Sequence, residues 1–530
     1  MNIIPVSGVG AIGIVSDLPP NEIPLNAWTD GRNVRFTDGA VEKFSGHAEV
    51  YPTPSPAPYW LLPIPYLGTF FWLYAGLAKV GATDGATHAD ITRAAGGDYS
   101  TDLNIGWTGG QIEGRAVINN GVDVPQMWTP ALSNDLAALT GWDANWRARS
   151  MRVFKRYLVA LDITKTATRY AQMVKWSHQA PSNLVPASWD EADETLDAGE
   201  FSLSSEGGHL VDSIPLRDDM IIYKEYQTFL MQYVGGIDIF RFIRKFKEMG
   251  MIARKCAIEF FSGKHLVFTG DDIVMHDGQQ AKSIVSKRLL SSIAGQIDST
   301  YYQRAFVAAN FPKKEVWVCF PEIGQSVCTK ALVWNWMEDT WGFRDLPNVS
   351  HIESGIVYPI VTGETWSGAS SDWSSDTSAW GDRAYDPSQR KMLIAAPGST
   401  MLFTPDTTQQ FNGTNMTAYV QKTAIGFPLR ADKPPDYTTE KLVSRIRPRI
   451  RGTAGGVVNV YLGTMQRIDG AVTWSDAFPF IIGSTEDCDF IGEVEAAPLH
   501  ALKFESTSNV AWRLDGYDAE VAAVGQHGNR

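Results

Sequence analysis

The chain is poor in cysteine, with Cys256, Cys319, Cys328 and Cys488 among 530 residues and no C-x-x-C pair. This excludes a disulfide-rich secreted scaffold and is compatible with production in a cytosol. Cys319 and Cys328 flank a predicted hairpin and could face each other. Small buried hydrophobic residues are the simpler interpretation of all four.

Positive charge is also scarce, since 46 Lys and Arg stand against 59 Asp and Glu, for a net charge of −13. A nucleic-acid-binding protein needs a basic surface that displaces counterions from phosphates, so this balance argues against one. It remains compatible with a wall past which DNA slides, because an acidic surface repels the backbone.

Long uninterrupted apolar runs are missing. The most apolar stretch, residues 59–80, is broken by Pro63, Pro65, Gly68 and Gly76, so we expect no membrane-spanning helix. The first residues lack the basic region of a signal peptide, and we expect no such signal.

Catalytic motifs are absent as well: there is no G-x-S-x-G, H-E-x-x-H or Walker loop, and the nine histidines are scattered singly. Asp271, Asp272, His276 and Asp277 could hold a divalent ion, but two hairpin turns around a strand at 273–275 explain them more simply. We therefore predict a protein that is not an enzyme, with no catalytic, cofactor-binding or metal-binding residues.

What the chain does contain is a short apolar strand that recurs along most of its length. Most intervals between copies are close to the length of a propeller blade, about 40–50 residues, and two longer intervals predict insertions. A single small sheet cannot bury both its faces, so such units are stable only when stacked. The copies are residues 70–74, 115–118, 157–161, 220–223, 265–268, 315–319 and 391–394.

These features predict a mainly β fold in three parts. Residues 1–58 form an N-terminal arm with a β-hairpin that turns at Asp38-Gly39. Residues 59–430 form a β-propeller of about six to eight blades with insertions. Residues 431–530, after a Pro-rich hinge, contain five short strands and form a β-sandwich-like domain.

Two segments are less regular. Residues 239–261 are compatible with a short helix or with a β meander, whose basic residues, Arg254 and Lys255 among them, lie on a solvated face. Residues 365–385 are rich in Ser and place Trp366, Trp373 and Trp380 seven residues apart, which predicts a long loop pinned by aromatic side chains.

Three segments resemble a known family. The N-terminal sequence NEIPLNAWTDGRNVRFTDGAVEKFSG (21–46), the Trp-rich stretch 366–380 and the C-terminal WRLDGY (512–517) resemble the tail nozzle, or tail-hub, proteins of short-tailed bacteriophages. These proteins are also called packaged-DNA stabilisation proteins. The motifs are structural and bear on both ends of the chain.

The resemblance implies a structural protein of the virion tail, made in the host cytoplasm. Such nozzles are homo-oligomeric rings, typically of six copies, below the portal and adaptor proteins. Genomic DNA leaves through the lumen without specific binding, a plug or needle closes it, and tail fibres dock outside. The acidic composition fits a low-friction lumen.

A ring requires two complementary faces on each subunit. Trp28 and Phe36 in the N-terminal arm are candidates for contacting a neighbour, with packing on their own chain as the alternative. Arg445, Arg447, Arg449 and Arg451 alternate with other residues. They therefore share one strand face, which would meet an acidic neighbour or simply be solvated.

Two other functions remain open. One is a propeller-type glycan-binding or glycan-hydrolysing protein, because Ser370–Trp380 has the Ser, Asp and Trp of a sialidase turn but lacks its Gly-x-Thr-Trp frame. The other is a monomeric scaffold for protein partners.

Overall fold

The computed structural model describes residues 2–261, 263–285, 289, 291, 293, 295–357 and 390–526. The regular structure of these residues is almost entirely β-strand, with short 3-10 turns at Gly236–Asp238 and Tyr302–Arg304. Among them no helix is long and apolar enough to span a membrane. The Trp-rich loop predicted at 365–385 lies outside the described residues.

The N-terminal segment contains five strands. They are β1 (Asn2–Ser7), β2 (Asp30–Arg32), β3 (Val34–Thr37), β4 (Ala40–Lys43) and β5 (His47–Glu49). The predicted hairpin is β3–β4. Asp38 and Gly39 both have positive φ, 50° and 69°, which the Asp-Gly sequence tolerates and which suits a tight hairpin turn.

The middle of the chain contains the strands of seven sheets. They are β6 (Trp60–Tyr66), β7 (Thr69–Ala75), β8 (Val80–Thr83), β9 (His88–Asp90), β10 (Thr108–Ile112), β11 (Arg115–Asn119), β12 (Gln126–Trp128), β13 (Ala137–Ala138), β14 (Trp146–Phe154), β15 (Tyr157–Lys165), β16 (Thr168–Trp176), β17 (Gly199–Ser202), β18 (Leu210–Leu216), β19 (Asp219–Lys224), β20 (Thr228–Tyr233), β21 (Phe240–Phe246), β22 (Ala257–Phe261), β23 (Lys264–Phe268), β24 (Ile273–His276), β25 (Ala281–Ser283), β26 (Phe306–Asn310), β27 (Glu315–Phe320), β28 (Cys328–Asn335), β29 (Thr340–Val349), β30 (His351–Ile356), β31 (Arg390–Ala396), β32 (Met401–Pro405), β33 (Gln410–Phe411) and β34 (Thr414–Asn415).

In six of the sheets the strands pair in chain order as antiparallel meanders, and in the seventh β5 is inserted beside β32 and pairs in parallel with β33. Sheets 1 to 6 are β6–β9, β10–β13, β14–β17, β18–β21, β22–β25 and β26–β29, and sheet 7 has the order β30-β31-β32-β5-β33-β34. We call them the ring sheets. The segment 239–261, for which a helix was one alternative, contributes β21 and β22, so the β alternative is correct.

The first strand of each ring sheet contacts the first strand of the next, and β30 of sheet 7 contacts β6 of sheet 1. Separate apolar cores lie between sheets 1 and 2, 2 and 3, 3 and 4, 6 and 7, and 7 and 1, and a single core joins sheets 4, 5 and 6. The order of contacts is therefore cyclic. In sheet 7, β5 pairs with β32 (Ala48 opposite Thr404), so hydrogen bonds between distant parts of the chain close the ring.

All seven recurring apolar strands occupy the same place, the second strand of a ring sheet. In β7, Phe71 and Leu73 pack toward sheet 2, whereas Trp72 and Tyr74 pack toward sheet 7. A strand covered on both faces must be apolar on both faces, so it appears in the sequence as a continuous run.

The remaining strands belong mainly to the C-terminal part of the chain. They are β35 (Ala418–Ile425), β36 (Thr439–Gly452), β37 (Val457–Met465), β38 (Thr473–Trp474), β39 (Phe478–Ile481), β40 (Cys488–Asp489), β41 (Leu499–Ser506) and β42 (Trp512–Gln526). Sheet 8 has the order β3-β4-β42-β36-β40 with β1 also beside β42. Sheet 9 has the order β2-β35-β41-β37-β38 with β39 beside β37.

Sheets 8 and 9 bury their facing sides in one apolar core, which continues into ring sheets 4 to 6. Tyr517 of sheet 8 and Phe504 of sheet 9 have ring centroids 6.0 Å apart. The N-terminal strands thus contribute to sheets 7, 8 and 9, and the hairpin docks on sheet 6, where the Asn33 amide donates to the Phe343 carbonyl over 2.8 Å.

Candidate functional site at the axis of the ring sheets

A partly enclosed cavity of about 60 Å³ lies where several connections enter the first strands of the ring sheets. Tyr59, Ile105, Lys255, Phe306 and Ser350 are among its lining residues and come from connections into sheets 1, 2, 5, 6 and 7. Sheets 1 and 2 lie across the ring from sheets 5 and 6, so a cavity that touches all of them lies on the axis. We call it the axial cavity.

The connection into sheet 2 crosses this end of the axis and is held there by arginines from across the ring. Arg254 donates from Nε to the Ile105 carbonyl and from Nη2 to the Asn104 carbonyl, each over 2.8 Å. Arg304 Nε donates to Asn104 Oδ1 over 3.1 Å. These contacts close the axis, so it is not an open channel at this end.

Asp212 in β18 ties three ring sheets together along the axis. Its carboxylate accepts from Ser150 Oγ (2.6 Å), from Arg152 Nε (2.8 Å) and Nη2 (2.5 Å), and from the amides of Ser213 (2.9 Å) and Lys255 (3.2 Å). Burial opposes its ionisation, but Arg152 and these donors outweigh burial and hold its pKa below the ordinary value.

Lys255 and Glu353 have no such partnership at the axis. Burial, reinforced by Arg152 and Arg254, lowers the pKa of Lys255 to about 7. Burial raises the pKa of Glu353, whose Oε1 accepts from the Ser354 amide over 3.0 Å. The pKa of the lysine is thus lowered and that of the glutamate raised, because both groups lie in a partly dehydrated space where the charged form is disfavoured.

A second polar assembly joins sheets 4 and 5. Tyr223 Oη lies 2.7 Å from both His265 Nδ1 and His276 Nε2. His265 Nε2 lies 2.8 Å from the Pro215 carbonyl, and His276 Nδ1 accepts from the Gly278 amide over 3.1 Å. These outer partners assign the tautomers: His276 donates to Tyr223, Tyr223 donates to His265, and His265 donates to Pro215.

Burial keeps this chain neutral, because it lowers the pKa of His265 to about 4 and of His276 to about 3 and raises that of Tyr223. Every nitrogen and oxygen of the three side chains has a partner. The arrangement is a structural connection between two sheets.

A third assembly anchors the N-terminal hairpin. Arg35 of β3 is buried against Glu315 of β27 (Nε–Oε1, 3.0 Å) and Asp406 after β32 (Nη2–Oδ1, 2.8 Å). Asn310 Nδ2 donates to Asp406 over 2.9 Å, and the Arg344 guanidinium lies 4.6 Å from the Trp317 ring centroid. Two arginines and two carboxylates thus balance in charge inside the protein.

The structure places the predicted contact residues of the N-terminal segment inside the chain. Trp28 is 1% exposed, donates from Nε1 to the Val9 carbonyl over 2.6 Å and packs edge-on against Phe504. Phe36 is 2% exposed and belongs to the core shared by sheets 8 and 9. In this conformation both side chains stabilise their own chain, which was the alternative interpretation.

The four predicted arginines lie on the outward side of β36 in sheet 8, and we call this surface the arginine face. Each has an acidic partner within the chain: Arg445 with Asp489 (3.6 Å), Arg447 with Asp487 (2.5 Å), Arg449 with Asp518 (2.6 Å) and Arg451 with Asp515 (2.6 Å). The arginine face is solvent-accessible and balanced in charge.

The acidic segment near residue 271 forms turns. Thr269 Oγ1 donates to Asp271 over 2.5 Å, Asp272 accepts from the Ile273 amide, and Asp277 accepts from the amides of Gln279 and Gln280. No group of three His, Cys, Asp or Glu side chains arranged for a metal ion occurs in the part of the chain that the structure describes. The four cysteines are free and buried.

Sequence reasoning missed the axial residues Arg152, Asp212 and Glu353, and it placed Arg254 and Lys255 on a solvated face. The last two are instead half-buried at the axis. Arg152 and Asp212 lie at first-strand positions, where polar residues interrupt apolar ones. That signal becomes useful only once the sheets are known to form a cycle.

Comparisons with known proteins add little to this geometry. No family model matches the chain, and no curated protein matches it. Among solved structures, the chain is similar to the WD40 β-propeller domain of Doa1, with 8% identity over 69% of this chain and 96% of that domain and a TM-score of 0.37.

Proposed function

We propose that this chain is a structural subunit of a bacteriophage tail, one copy of a ring-shaped nozzle or hub below the portal and adaptor, and that it is not an enzyme. In this proposal the ring sheets are the blades of a seven-bladed β-propeller, and sheets 8 and 9 are a β-sandwich fused to it. The lumen of the assembled ring conducts the genome, and the outside docks tail fibres or a plug.

One observation carries the proposal. The N-terminal and C-terminal segments that resemble nozzle proteins lie at opposite ends of the sequence, yet they form neighbouring strands of sheet 8. Val41 of β4 pairs with Leu514 of β42, and Glu42 pairs with Arg513. The two segments therefore belong to one structural unit, which supports treating their resemblances as one piece of support for the nozzle family.

The closed end of the axis bears on where the genome would pass in this proposal. The axis of a single chain is blocked by the connection 101–107 and by the Arg152–Asp212 pair. A conducting lumen must therefore lie between copies of the chain. A net charge of −13 per copy would make its wall repel DNA.

The arginine face is the proposed contact surface between copies. The same side of sheet 8 continues from the arginine face onto β42 and β1, where Ile3 stands opposite Glu520 and is 62% exposed. Alternating charges next to an exposed apolar side chain suit a contact between copies. In such a contact, cationic groups of a neighbouring copy would compete with the four arginines for their aspartate partners.

The test is the mass and shape of the full chain, measured by native mass spectrometry and negative-stain imaging over a range of concentrations. We expect closed rings of several chains, whose number of copies stays the same as the protein concentration rises. The double variant Arg447→Glu with Arg451→Glu should remain folded and lose the rings, whereas Lys433→Glu, an exposed charge change elsewhere, should keep them.

The outcomes are separable. Rings that survive in the double variant would move the interface away from the arginine face and leave the function intact. A chain that stays monomeric at every concentration, and does not join portal–adaptor complexes, would overturn the nozzle proposal.

A glycan hydrolase is the second candidate, and one observation favours it: Asp212 has a lowered pKa and Glu353 a raised one at the same axis, as acid–base pairs require. Access argues against it, because Asp212 is fully buried and neither carboxylate lines the axial cavity. Hydrolysis of bacterial polysaccharide that is abolished by Glu353→Gln would establish this candidate.

A further inference from the structure

The axial cavity has an unbalanced charge. Arg254, Lys255 and Arg304 line it, and within the described residues no carboxylate oxygen lies within 4.0 Å of any of their nitrogens. Arg152, deeper along the axis, is matched by Asp212. Three cationic side chains thus line one partly enclosed space. Asp212 and Glu353 act on Lys255 from a longer range, but no carboxylate of the described residues forms an ion pair with any of the three.

The hydrogen bonds of the two lining arginines leave some of their donors unused. Arg254 uses Nε and Nη2 on two carbonyls, and Arg304 uses Nε and Nη1 on Asn104 Oδ1 and the Ser326 carbonyl. Each guanidinium retains one terminal nitrogen with unused donors. Lys255 Nζ lies 3.5 Å from the position that a Cβ on Gly106 would occupy, so the ammonium faces the connection that closes the cavity.

The electrostatic cost of this arrangement appears as lowered pKa values of two of the cationic side chains. Burial lowers the pKa of Arg254 to about 10 and that of Lys255 to about 7. A cation in a partly dehydrated space is costly without a partner, and an accompanying anion offsets part of that cost.

We propose that the axial cavity binds a small tetrahedral oxyanion, inorganic phosphate or sulfate, between Lys255 and the free donors of Arg254 and Arg304. The oxygen atoms of such an ion accept charge-assisted hydrogen bonds from several directions, as three converging cationic groups require. The volume of about 60 Å³ admits a single compact ion and excludes a nucleotide or a sugar. The site lies within one chain and does not depend on assembly.

The anion would also act as a structural clamp. The connection 101–107 reaches the far side of the ring through Arg254 and Arg304. Neutralising these arginines and Lys255 would strengthen the closure of this end, so the bound ion should raise the stability of the ring.

The experiment is a titration of the full chain with inorganic phosphate at pH 6.5 and constant ionic strength, followed by calorimetry and by thermal unfolding. We expect saturable binding and a dose-dependent rise in Tm, reproduced by sulfate and not by chloride. Lys255→Met should weaken binding at least tenfold. Lys313→Met, which removes an exposed lysine outside the cavity, should leave binding unchanged.

The absence of saturable phosphate binding, or equal binding by Lys255→Met and the parent, would overturn the proposal. Equal affinity for adenosine monophosphate would also overturn it, because a cavity of about 60 Å³ has no room for a nucleoside. Should circular dichroism show that Lys255→Met is unfolded, Lys255→Gln is judged by the same tenfold criterion.

Discussion

The arginines at the axis of the ring and those of the arginine face are the same residue type in opposite settings. Arg152 and Arg254 are half-buried, and their partners are a fully buried carboxylate in one case and backbone carbonyls in the other. Arg447 and Arg451 pair with carboxylates that water reaches. Dehydration makes each axial contact obligatory, whereas water can replace each contact on the face.

The contrast has a structural consequence. Axial contacts join different ring sheets, so they hold the cycle together. Arg152–Asp212 joins the successive sheets 3 and 4, and Arg254 reaches the connection into sheet 2 from across the ring. Contacts on the arginine face join neighbouring strands that are already hydrogen-bonded, so they add little to one chain and remain available to a second copy. Substitutions at the two places should therefore differ greatly in effect.

The largest effect is expected from Asp212→Asn. The substitution leaves Arg152 charged and buried without a countercharge, which costs about 3–5 kcal/mol of unfolding free energy. Urea unfolding followed by tryptophan fluorescence measures it. A loss below about 1 kcal/mol, the range of an exposed pair, would show that water reaches the axis freely and would remove the contrast with the arginine face.

Acid should destabilise the protein through its buried histidines. His276 has a pKa lowered from 6.5 to about 3, so between these values the unfolded chain binds a proton that the native chain does not. Stability is therefore full above about pH 6.5 and falls as the pH drops, by about 2 kcal/mol per such histidine at pH 5.

His276→Gln tests this prediction through the pH dependence of unfolding between pH 8 and pH 5. The variant should lose about 2 kcal/mol less than the parent over this range, because it lacks the proton uptake of the unfolded state. Exposed His209→Gln should behave like the parent. An unchanged pH dependence in His276→Gln would mean that the His–Tyr–His chain takes up a proton without opening.

Lys255→Met should stabilise the anion-free protein by about 1–4 kcal/mol, since it replaces a poorly compensated buried cation with an apolar side chain. The charged groups that face Lys255 are Arg152, Arg254, Asp212 and Glu353, with neutral His351 nearby.

The sign of the pH effect for Lys255 follows from its lowered pKa of about 7. Below pH 7 the lysine is charged in both states and the penalty is complete, and above about pH 10.5 it is neutral in both and the penalty is gone. The gain in unfolding free energy from Lys255→Met, measured by chemical unfolding, should therefore decrease as the pH rises from 7 to about 10.5. A destabilised variant at pH 6.5 in phosphate-free buffer would contradict this account.

The smallest effect is expected from Arg451→Ala on the arginine face. Its partner Asp515 also contacts Arg513 (Nε–Oδ1, 3.2 Å), and water hydrates both groups when the pair is broken. The unfolding midpoint of the single chain should not change measurably, in low or high salt. A large shift of the midpoint would mean that the arginine face stabilises the single chain. Substitutions on this face and at the axis would then differ less in their effect on stability.

Sequence patterns located the ring sheets well because burial on two faces leaves a local signature. Phe70–Tyr74 and Glu315–Cys319 are each the second strand of a ring sheet. The β3–β4 hairpin could be predicted equally well, since Asp38-Gly39 supplies the positive φ that its turn needs. Both signals arise within a few residues.

Other features could not be predicted, because their partners are distant in sequence. Nothing near His47–Glu49 indicates that this short strand pairs with β32, which lies beyond six complete ring sheets along the chain. Arg35 looks like an ordinary hairpin residue until Glu315 and Asp406 surround it. Arg254 and Lys255 look like part of a basic, solvated stretch until the ring places them at its axis.

The amino-acid pattern was sufficient for a mainly β protein with seven repeated apolar strands, because alternation and turn chemistry are local properties of the backbone and its nearest side chains. Closure of the seven sheets into a cycle depended on long-range pairing. So did the burial of Trp28 and Phe36 in their own chain, and the gathering of Arg254, Lys255 and Arg304 around one cavity. Burial and charge compensation depend on which distant segments meet, and that is a property of the packed molecule alone.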